Sequence, residues 1–255
     1  MGRLELALRG VVSGGRKAFV PYVTGGFPGV DAELLQRLQQ LGADAIEVGI
    51  PHSDPVMDGG VIQEASRVAL ERGTRVDDVL RVVADAALDV PVAIMTYANP
   101  VQRRGPEAFC DVLAGAGVVG MIVPDLPVDE AETLEGPAAA RGIDLVLLAA
   151  PGTTADRYAE IASASHGFVY CVATYGVTGA RDQLAATARQ VVDALRPDTD
   201  LPLLVGVGIG TPDQARAACG FADGAIVGSA LMAPLVGGDR EGALALAREF
   251  REAIA

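Results

Sequence analysis

The chain has 255 residues, half of them hydrophobic, and its 33 acidic and 20 basic side chains give a formal net charge of −13. Nucleic-acid binding draws much of its affinity from basic side chains that neutralise phosphates, so this balance disfavours such a role. No apolar run approaches the ~18 residues of a membrane-spanning helix. The first twenty residues contain scattered charged side chains, whereas a signal peptide requires an apolar core there. The sequence therefore predicts a soluble, cytoplasmic protein.

Eight short β-rich runs recur along the chain, and a segment with helical periodicity lies between most of them. Most of these runs are continuously apolar, which is typical of strands covered on both faces. The predicted strands are Ala18–Val23, Ala45–Gly49, Val92–Tyr97, Gly120–Val123, Asp144–Leu148, Phe168–Val172, Leu203–Gly206 and Gly224–Val227.

The helical segments carry recognisable start and stop signals. One apolar face ends at Gly42, and another helix begins at Pro106 and ends at Gly117. Thr211 and Gln214 have the spacing of a capping box, with proline at the first helical position. Cys110, Cys171 and Cys219 lie far apart in apolar segments, which predicts buried thiols and neither a disulfide nor a metal site.

This alternation, with no linker or low-complexity stretch, predicts a single domain over residues 1–255 with a (β/α)₈ TIM-barrel fold. A doubly wound open sheet is the alternative. It would require a G-x-G-x-x-G fingerprint after the first strand, and the sequence there is TGGFPG.

In such a barrel, function lies at the carboxyl ends of the strands. Glycine-rich turns follow strands seven and eight and lead directly into helices, so they offer backbone amides and a helix N-terminus to an anion. The sequence predicts a phosphate site there, formed by Gly206, Gly208, Gly228 and Ser229. The alternative is that these glycines only form tight turns.

Carboxylates cluster at and after the second strand. Glu47 is flanked by apolar residues, and burial would raise its pKa into the range useful for proton transfer. An outward glutamate paired with an arginine is the alternative. In the long loop that follows, Asp58 is predicted to reach over the barrel mouth toward Glu47, whereas Asp54 organises a turn and His52 is a packing or surface residue.

Several segments, in this order along most of the chain, resemble the tryptophan synthase alpha subunit family. The segments are AFVPYVTGG, LGADAIEVGIPHSDPVMDGGVIQEA, MTYANPV, IVPDLP, GFVYCV, GVTGAR and VGSALM. The resemblance implies a TIM-barrel lyase that cleaves indole-3-glycerol phosphate to indole and glyceraldehyde 3-phosphate. It also implies that this chain holds no cofactor and that indole passes to a pyridoxal-phosphate beta subunit, within an alpha-beta-beta-alpha heterotetramer.

The resemblance also assigns roles to individual positions. Glu47 and Asp58 match the catalytic carboxylates of the family, and Tyr170 matches a residue that hydrogen-bonds near the reacting carbons. Further positions match the substrate pocket: Tyr22, Tyr97 and Ile122 along the indole, and Thr178 and Gly179 in a loop that closes over the site. Positions matching the partner-facing surface are Asp54, Asn99, Asp125 and Pro127.

Several positions depart from the family pattern. His52 stands where an aromatic residue is usual, Val207 where phenylalanine is common, and Gly60 replaces a proline. Tyr175 before GVTG and the stretch PGTT at 151–154 also differ. Because glycine loosens a loop that proline stiffens, we expect Asp58 to lie away from its working position in the free protein. Two other functions stay open: a stand-alone lyase that releases free indole, and a poorly catalytic activator of a beta subunit.

Overall fold

A computed structural model of the chain describes residues 1–173 and 181–255, with the backbone alone for residues 181–185. The strands of the described residues are β1 (Ala18–Thr24), β2 (Ile46–Gly49), β3 (Val92–Met95), β4 (Gly120–Ile122), β5 (Asp144–Val146), β6 (Leu148–Ala149), β7 (Val169–Val172), β8 (Leu203–Gly206) and β9 (Gly224–Val227). The helices are α1 (Arg3–Ser13), α2 (Ala32–Gln40), α3 (Gly60–Glu71), α4 (Val76–Ala86), α5 (Ala98–Arg104), α6 (Pro106–Gly115), α7 (Glu132–Ala139), α8 (Ala155–Ala164), α9 (Arg181–Leu195), α10 (Pro212–Cys219), α11 (Ser229–Val236) and α12 (Arg240–Ala253).

The strands form a parallel sheet in the order β5-β4-β3-β2-β1-β9-β8-β7-β6. The two edge strands, β5 and β6, follow each other along the chain with one residue between them, so the chain itself joins the two edges. Leu145 and Leu147 accept backbone hydrogen bonds from His166 (2.8 Å) and Tyr170 (3.0 Å). The sheet is therefore a barrel, as predicted, and the open-sheet alternative is excluded.

The fifth predicted strand, Asp144–Leu148, differs from the prediction because the structure divides it into β5 and β6. Its first half pairs with β4, where Ile122 is in register with Val146. Its second half pairs with β7, where Leu148 is in register with Tyr170. The change of partner in mid-strand interrupts the regular ladder, and no feature of the sequence marks that point.

Alternate strand residues belong to two separate apolar clusters. Phe19 and Ile46 pack with the outer cluster between strands and helices, whereas Val20 and Ala45 belong to a cluster inside the barrel. Leu4 of α1 joins the inner cluster, so this helix covers the end at which the strands begin. The opposite end, where the strands finish, is the end available to a ligand.

The capping box at α10 forms as predicted. The Thr211 hydroxyl accepts a hydrogen bond from the backbone N–H of Gln214 (3.3 Å), and the Gln214 side chain accepts one from the backbone N–H of Thr211 (3.1 Å). The three cysteines are buried and free. Among the helices of the described residues, none is long and apolar enough to cross a membrane.

Candidate active site

Glu47 lies on β2 with its side chain directed into the barrel. It is in register with Tyr22 on β1 and with Ala93 on β3, and Ala93 belongs to the inner cluster. Glu47 is only 1% exposed, and its Oε2 atom has no hydrogen-bond partner within residues 1–173 and 181–255. Burial, reinforced by the negative charge of Asp58, raises the pKa of Glu47 to about 8. This carboxyl group therefore carries a proton at neutral pH.

Asp58 lies in the loop between β2 and α3, and Tyr97 holds it there. The Tyr97 hydroxyl donates a hydrogen bond to Asp58 Oδ2 (3.3 Å) and accepts one from the backbone N–H of Met57 (3.0 Å). Burial raises the pKa of Asp58 to about 6, against the opposing effect of the Tyr97 hydrogen bond. At neutral pH Asp58 is mostly ionised, so the two carboxyl groups differ in protonation state.

The position of Asp58 differs from the expectation that Gly60 leaves it away from the site. The structure places its carboxylate against Tyr97 and close enough to Glu47 to raise the pKa of that residue. The reason is that Gly60 is the first residue of α3, so the flexible position lies at the start of a helix. Tyr97, and not residue 60, supplies the side-chain contact to Asp58.

Tyr22 and Tyr170 are both buried; Tyr170 belongs to the inner cluster, and Tyr22 is in register with Glu47 on the neighbouring strand. Burial, with the charges of Asp58 and Glu47, raises the pKa of both phenols, so they remain protonated and can donate hydrogen bonds. The Tyr22 hydroxyl lies 3.3 Å from the hydroxyl of Thr24. Together with Tyr97, these residues surround the two carboxyl groups with neutral hydroxyl donors.

Two strand-end glycines make room for these tyrosines. A Cβ atom at Gly49 would lie 2.1 Å from the Tyr22 hydroxyl, and one at Gly206 would lie 2.3 Å from the Tyr170 hydroxyl. A larger residue at either position would displace a ring from the site. Sequence reasoning assigned Gly206 to phosphate binding alone and missed Gly49, although a glycine at an inward-facing position of a buried strand is a usable signal.

Ile122 is 1% exposed on β4 and packs in the inner cluster with Tyr170, so the structure places it inside the barrel. Thr178 and Gly179, the predicted loop residues, lie outside the described residues. The structure thus brings Glu47, Asp58 and the three tyrosines together at one end of the barrel.

The glycine-rich turn after β8 has an unusual backbone conformation. Val207 and Gly208 have φ angles of 62° and 95°, and Val207 is a β-branched residue for which positive φ is strained. The Gln214 side chain accepts hydrogen bonds from the amides of Gly210 (2.7 Å) and Thr211. Those two amides are therefore engaged within the protein, and a phosphate would use the part of the turn that precedes them.

The start of α11 supplies the other half of the predicted phosphate site. Gly228 is its N-terminal cap residue. Because glycine has no side chain, no side-chain hydrogen bond caps the first amides of this helix. Ser229 is exposed, and a Cβ atom added at Gly59 would lie 3.8 Å from its hydroxyl oxygen. The predicted phosphate position is therefore next to the Asp58 loop.

A groove of about 790 Å³ lies beside this site and not within it. Its lining includes His52, Arg75, Asn99 and Arg103 but neither Glu47 nor Asp58. The position of the chemistry is better indicated by the unpaired buried Glu47 than by the size of the groove, since an orphaned buried carboxyl group is costly in a purely structural role.

The fold and site together define a class: a TIM-barrel enzyme in which a buried carboxyl group, Glu47, and a partly buried one, Asp58, lie close together at the mouth of the barrel. The family model described as "Tryptophan synthase alpha chain" matches residues 9–251. The chain belongs to the tryptophan synthase alpha chain family.

Individual relatives agree with this assignment. The chain is 45% identical to the tryptophan synthase alpha chain of Synechococcus elongatus over 247 residues, covering 95% of this chain and 93% of that protein. Among solved structures, a chain of Mycobacterium tuberculosis tryptophan synthase superimposes with a TM-score of 0.90 at 38% identity, with 99% of this chain and 98% of that chain covered. The alpha subunit from Legionella pneumophila gives a TM-score of 0.88 at 32% identity, with 100% and 98% covered.

Proposed function

We propose that the chain catalyses the alpha reaction of tryptophan synthesis, the retro-aldol cleavage of indole-3-glycerol phosphate to indole and glyceraldehyde 3-phosphate. The observation that carries the proposal is the pairing of a buried Glu47 of pKa about 8 with an Asp58 of pKa about 6. Near neutral pH this pair offers one proton donor and one anion side by side, which is what the reaction requires.

In this mechanism Asp58 accepts a hydrogen bond from the indole N–H and stabilises the positive charge that develops on the ring. Protonated Glu47 donates its proton to indole C3. The resulting Glu47 carboxylate removes the proton of the adjacent carbinol hydroxyl, the bond between C3 and the carbinol carbon breaks, and the bonding electrons return to the indole ring. The hydroxyl oxygen becomes the aldehyde oxygen of the product, and Glu47 regains its proton.

The remaining residues bind and orient the substrate. Tyr170 donates a hydrogen bond near the reacting carbons, while Tyr22, Tyr97 and Ile122 enclose the indole. The turn containing Gly206 and Gly208 and the uncapped start of α11, with Gly228 and Ser229, bind the phosphate. Thr178 and Gly179 close over the bound substrate and exclude water.

The proposed steps are two proton transfers and one carbon–carbon cleavage, and Glu47 is the donor in the first transfer and the acceptor in the second. The chain accordingly works without a cofactor of its own, and pyridoxal phosphate belongs to the partner beta subunit.

A beta subunit is the proposed partner, in an alpha-beta-beta-alpha heterotetramer in the cytoplasm. Asp54, Asn99, Asp125 and Pro127 are all exposed, on the segments that follow β2, β3 and β4. Val56, on the same loop as Asp58, is 68% exposed despite its apolar side chain. This surface borders the site, so a partner bound there can receive indole and contact the loop that carries Asp58.

The catalytic proposal is tested by steady-state release of indole from indole-3-glycerol phosphate. We expect Asp58→Asn and Glu47→Gln each to lower kcat by ~10² to 10⁴-fold, the usual contribution of an acid–base group. Glu71→Gln, on the exposed end of α3, is the matched control. Retention by Glu47→Gln of more than a tenth of the wild-type kcat would contradict the role of Glu47.

The partner proposal needs a separate measurement. Saturation with a competent beta subunit is expected to raise the indole-release rate, and Asp54→Ala is expected to weaken that activation while leaving the partner-free rate intact. High turnover without a partner, unchanged by the beta subunit, would favour the stand-alone lyase. Absence of cleavage above that of Glu47→Ala would favour the activator.

A further inference from the structure

The imidazole of His52 stacks on the ring of Tyr97. The two ring centroids lie 4.6 Å apart, and the ring planes differ by 17°. His52 belongs to the same loop as Asp58, and its partly exposed side chain lines the groove beside the site. The stack therefore connects the outer surface of the loop to a residue inside the site.

The Tyr97 hydroxyl forms two hydrogen bonds, and both depend on the orientation of its side chain. Its hydroxyl must reach Asp58 Oδ2 (3.3 Å) and the backbone N–H of Met57 (3.0 Å) at the same time. A tyrosine hydroxyl lies on the long axis of the ring, so its position is set mainly by rotation about the Cα–Cβ bond. A flat partner packed against one ring face opposes that rotation.

We propose that His52 is a positioning residue, whose stack on Tyr97 holds the phenol hydroxyl against Asp58 and so keeps that carboxylate in its working position. The proposal rests on the proposed role of Asp58 in cleavage of indole-3-glycerol phosphate. The property required of residue 52 is a flat ring, and neither its charge nor its proton enters the reaction.

The kinetic test compares His52→Ala, which removes the ring, with His52→Phe, which keeps a flat ring and removes the ring nitrogens. We expect His52→Ala to lower kcat by about threefold to tenfold, the effect of losing one aromatic pair, with little change in KM. His52→Phe is expected to restore most of kcat. The other histidine of the chain, His166, lies by α8 and contacts Glu135, so His166→Ala is the matched control.

A second readout does not depend on turnover. The hydrogen bond from Tyr97 lowers the pKa of Asp58, so a less restrained phenol must let that pKa rise. Carboxyl ¹³C NMR of the free protein, with the Asp58 signal assigned through Asp58→Asn, measures the value directly. We expect His52→Ala to raise the Asp58 pKa by about half a pH unit, in the same direction as Tyr97→Phe. His52→Phe is expected to leave it unchanged.

The two measurements separate this inference from the proposed function. A wild-type protein that cleaves no indole-3-glycerol phosphate, yet shows the NMR shift in His52→Ala, would overturn the function and retain the positioning role. An Asp58 pKa that is the same in wild type and His52→Ala would overturn the positioning role, whatever the activity. Equal losses of kcat in His52→Ala and His52→Phe would also overturn it, because they would assign the effect to the ring nitrogens.

Discussion

Replacing Glu47 with glutamine is expected to stabilise the protein as well as to inactivate it. Burial raises the Glu47 pKa from 4.5 to about 8, so between these pH values the folded protein binds a proton that the unfolded chain has released. The state that binds more protons loses stability as pH rises. Glutamine is neutral at every pH and has nearly the shape of the protonated acid, so it removes this loss.

The magnitude follows from the distance between the two pKa values. Each pH unit between 4.5 and about 8 lowers the free energy of unfolding by about 1.4 kcal/mol. The wild type therefore loses about 3 kcal/mol at pH 7 and about 5 kcal/mol above pH 8. A globular protein has ~5–15 kcal/mol of stability in total, so an effect of this size is readily measured.

The assay is thermal unfolding of wild type and Glu47→Gln from pH 4.5 to 8.5. At pH 4.5 we expect nearly equal Tm values, and at pH 7 we expect the variant to unfold about 6 to 12 °C higher. Comparing the two proteins at each pH cancels the titration of other groups, and Glu71→Gln controls for the loss of a surface carboxylate. A difference in Tm that does not grow with pH would refute the burial of an unpaired Glu47.

Three further outcomes are expected. The pH profile of kcat/KM should be bell-shaped, with an acid limb near pH 6 where Asp58 becomes protonated and an alkaline limb near pH 8 where Glu47 loses its proton; a profile that keeps rising above pH 9 would contradict it. Ser229→Asp should raise KM far more than it lowers kcat, because the charge of the aspartate repels the phosphate. Initial rates over a range of substrate concentrations measure both constants, and an unchanged KM would contradict a phosphate site at Ser229. Gly60→Pro should raise Tm by about 1 to 4 °C, since a Cβ there contacts nothing and proline is favoured at the first position of a helix; a lower Tm would show that the backbone amide of residue 60 is needed.

The fold could be predicted from the sequence because each element carries its own signal. Apolar runs gave the strands, and Thr211 with Gln214 gave the start of α10. The division of the fifth strand could not be predicted, since it arises where β4 and β7 pair with different halves of one segment. Such a change of partner depends on closure of the whole barrel and leaves no local trace.

The inward, buried position of Glu47 could be anticipated, because a carboxylate between apolar neighbours on a strand has few other roles. The position of Asp58 could not be. Its contact is Tyr97, 39 residues further along the chain, and that ring is in turn packed against His52. Both contacts require β2 and β3 to lie side by side first, so no local pattern of the loop could show them.

The site and the stability of the fold place opposing demands on Glu47. A carboxyl group that carries a proton at neutral pH must be kept from water and from cationic partners, and the Glu47 Oε2 atom has no partner within the described parts of the chain. An arginine beside it would stabilise the folded state but would lower the pKa and remove the proton that indole C3 requires. Although the chain carries 20 lysine and arginine residues, none of them is among the causes of the Glu47 pKa shift. That pKa is set by burial and by the charge of Asp58. The instability expected from Glu47 and its proposed catalytic role therefore have one physical origin, so a variant that pairs Glu47 with a cation should lose the proton required for activity as its pKa falls.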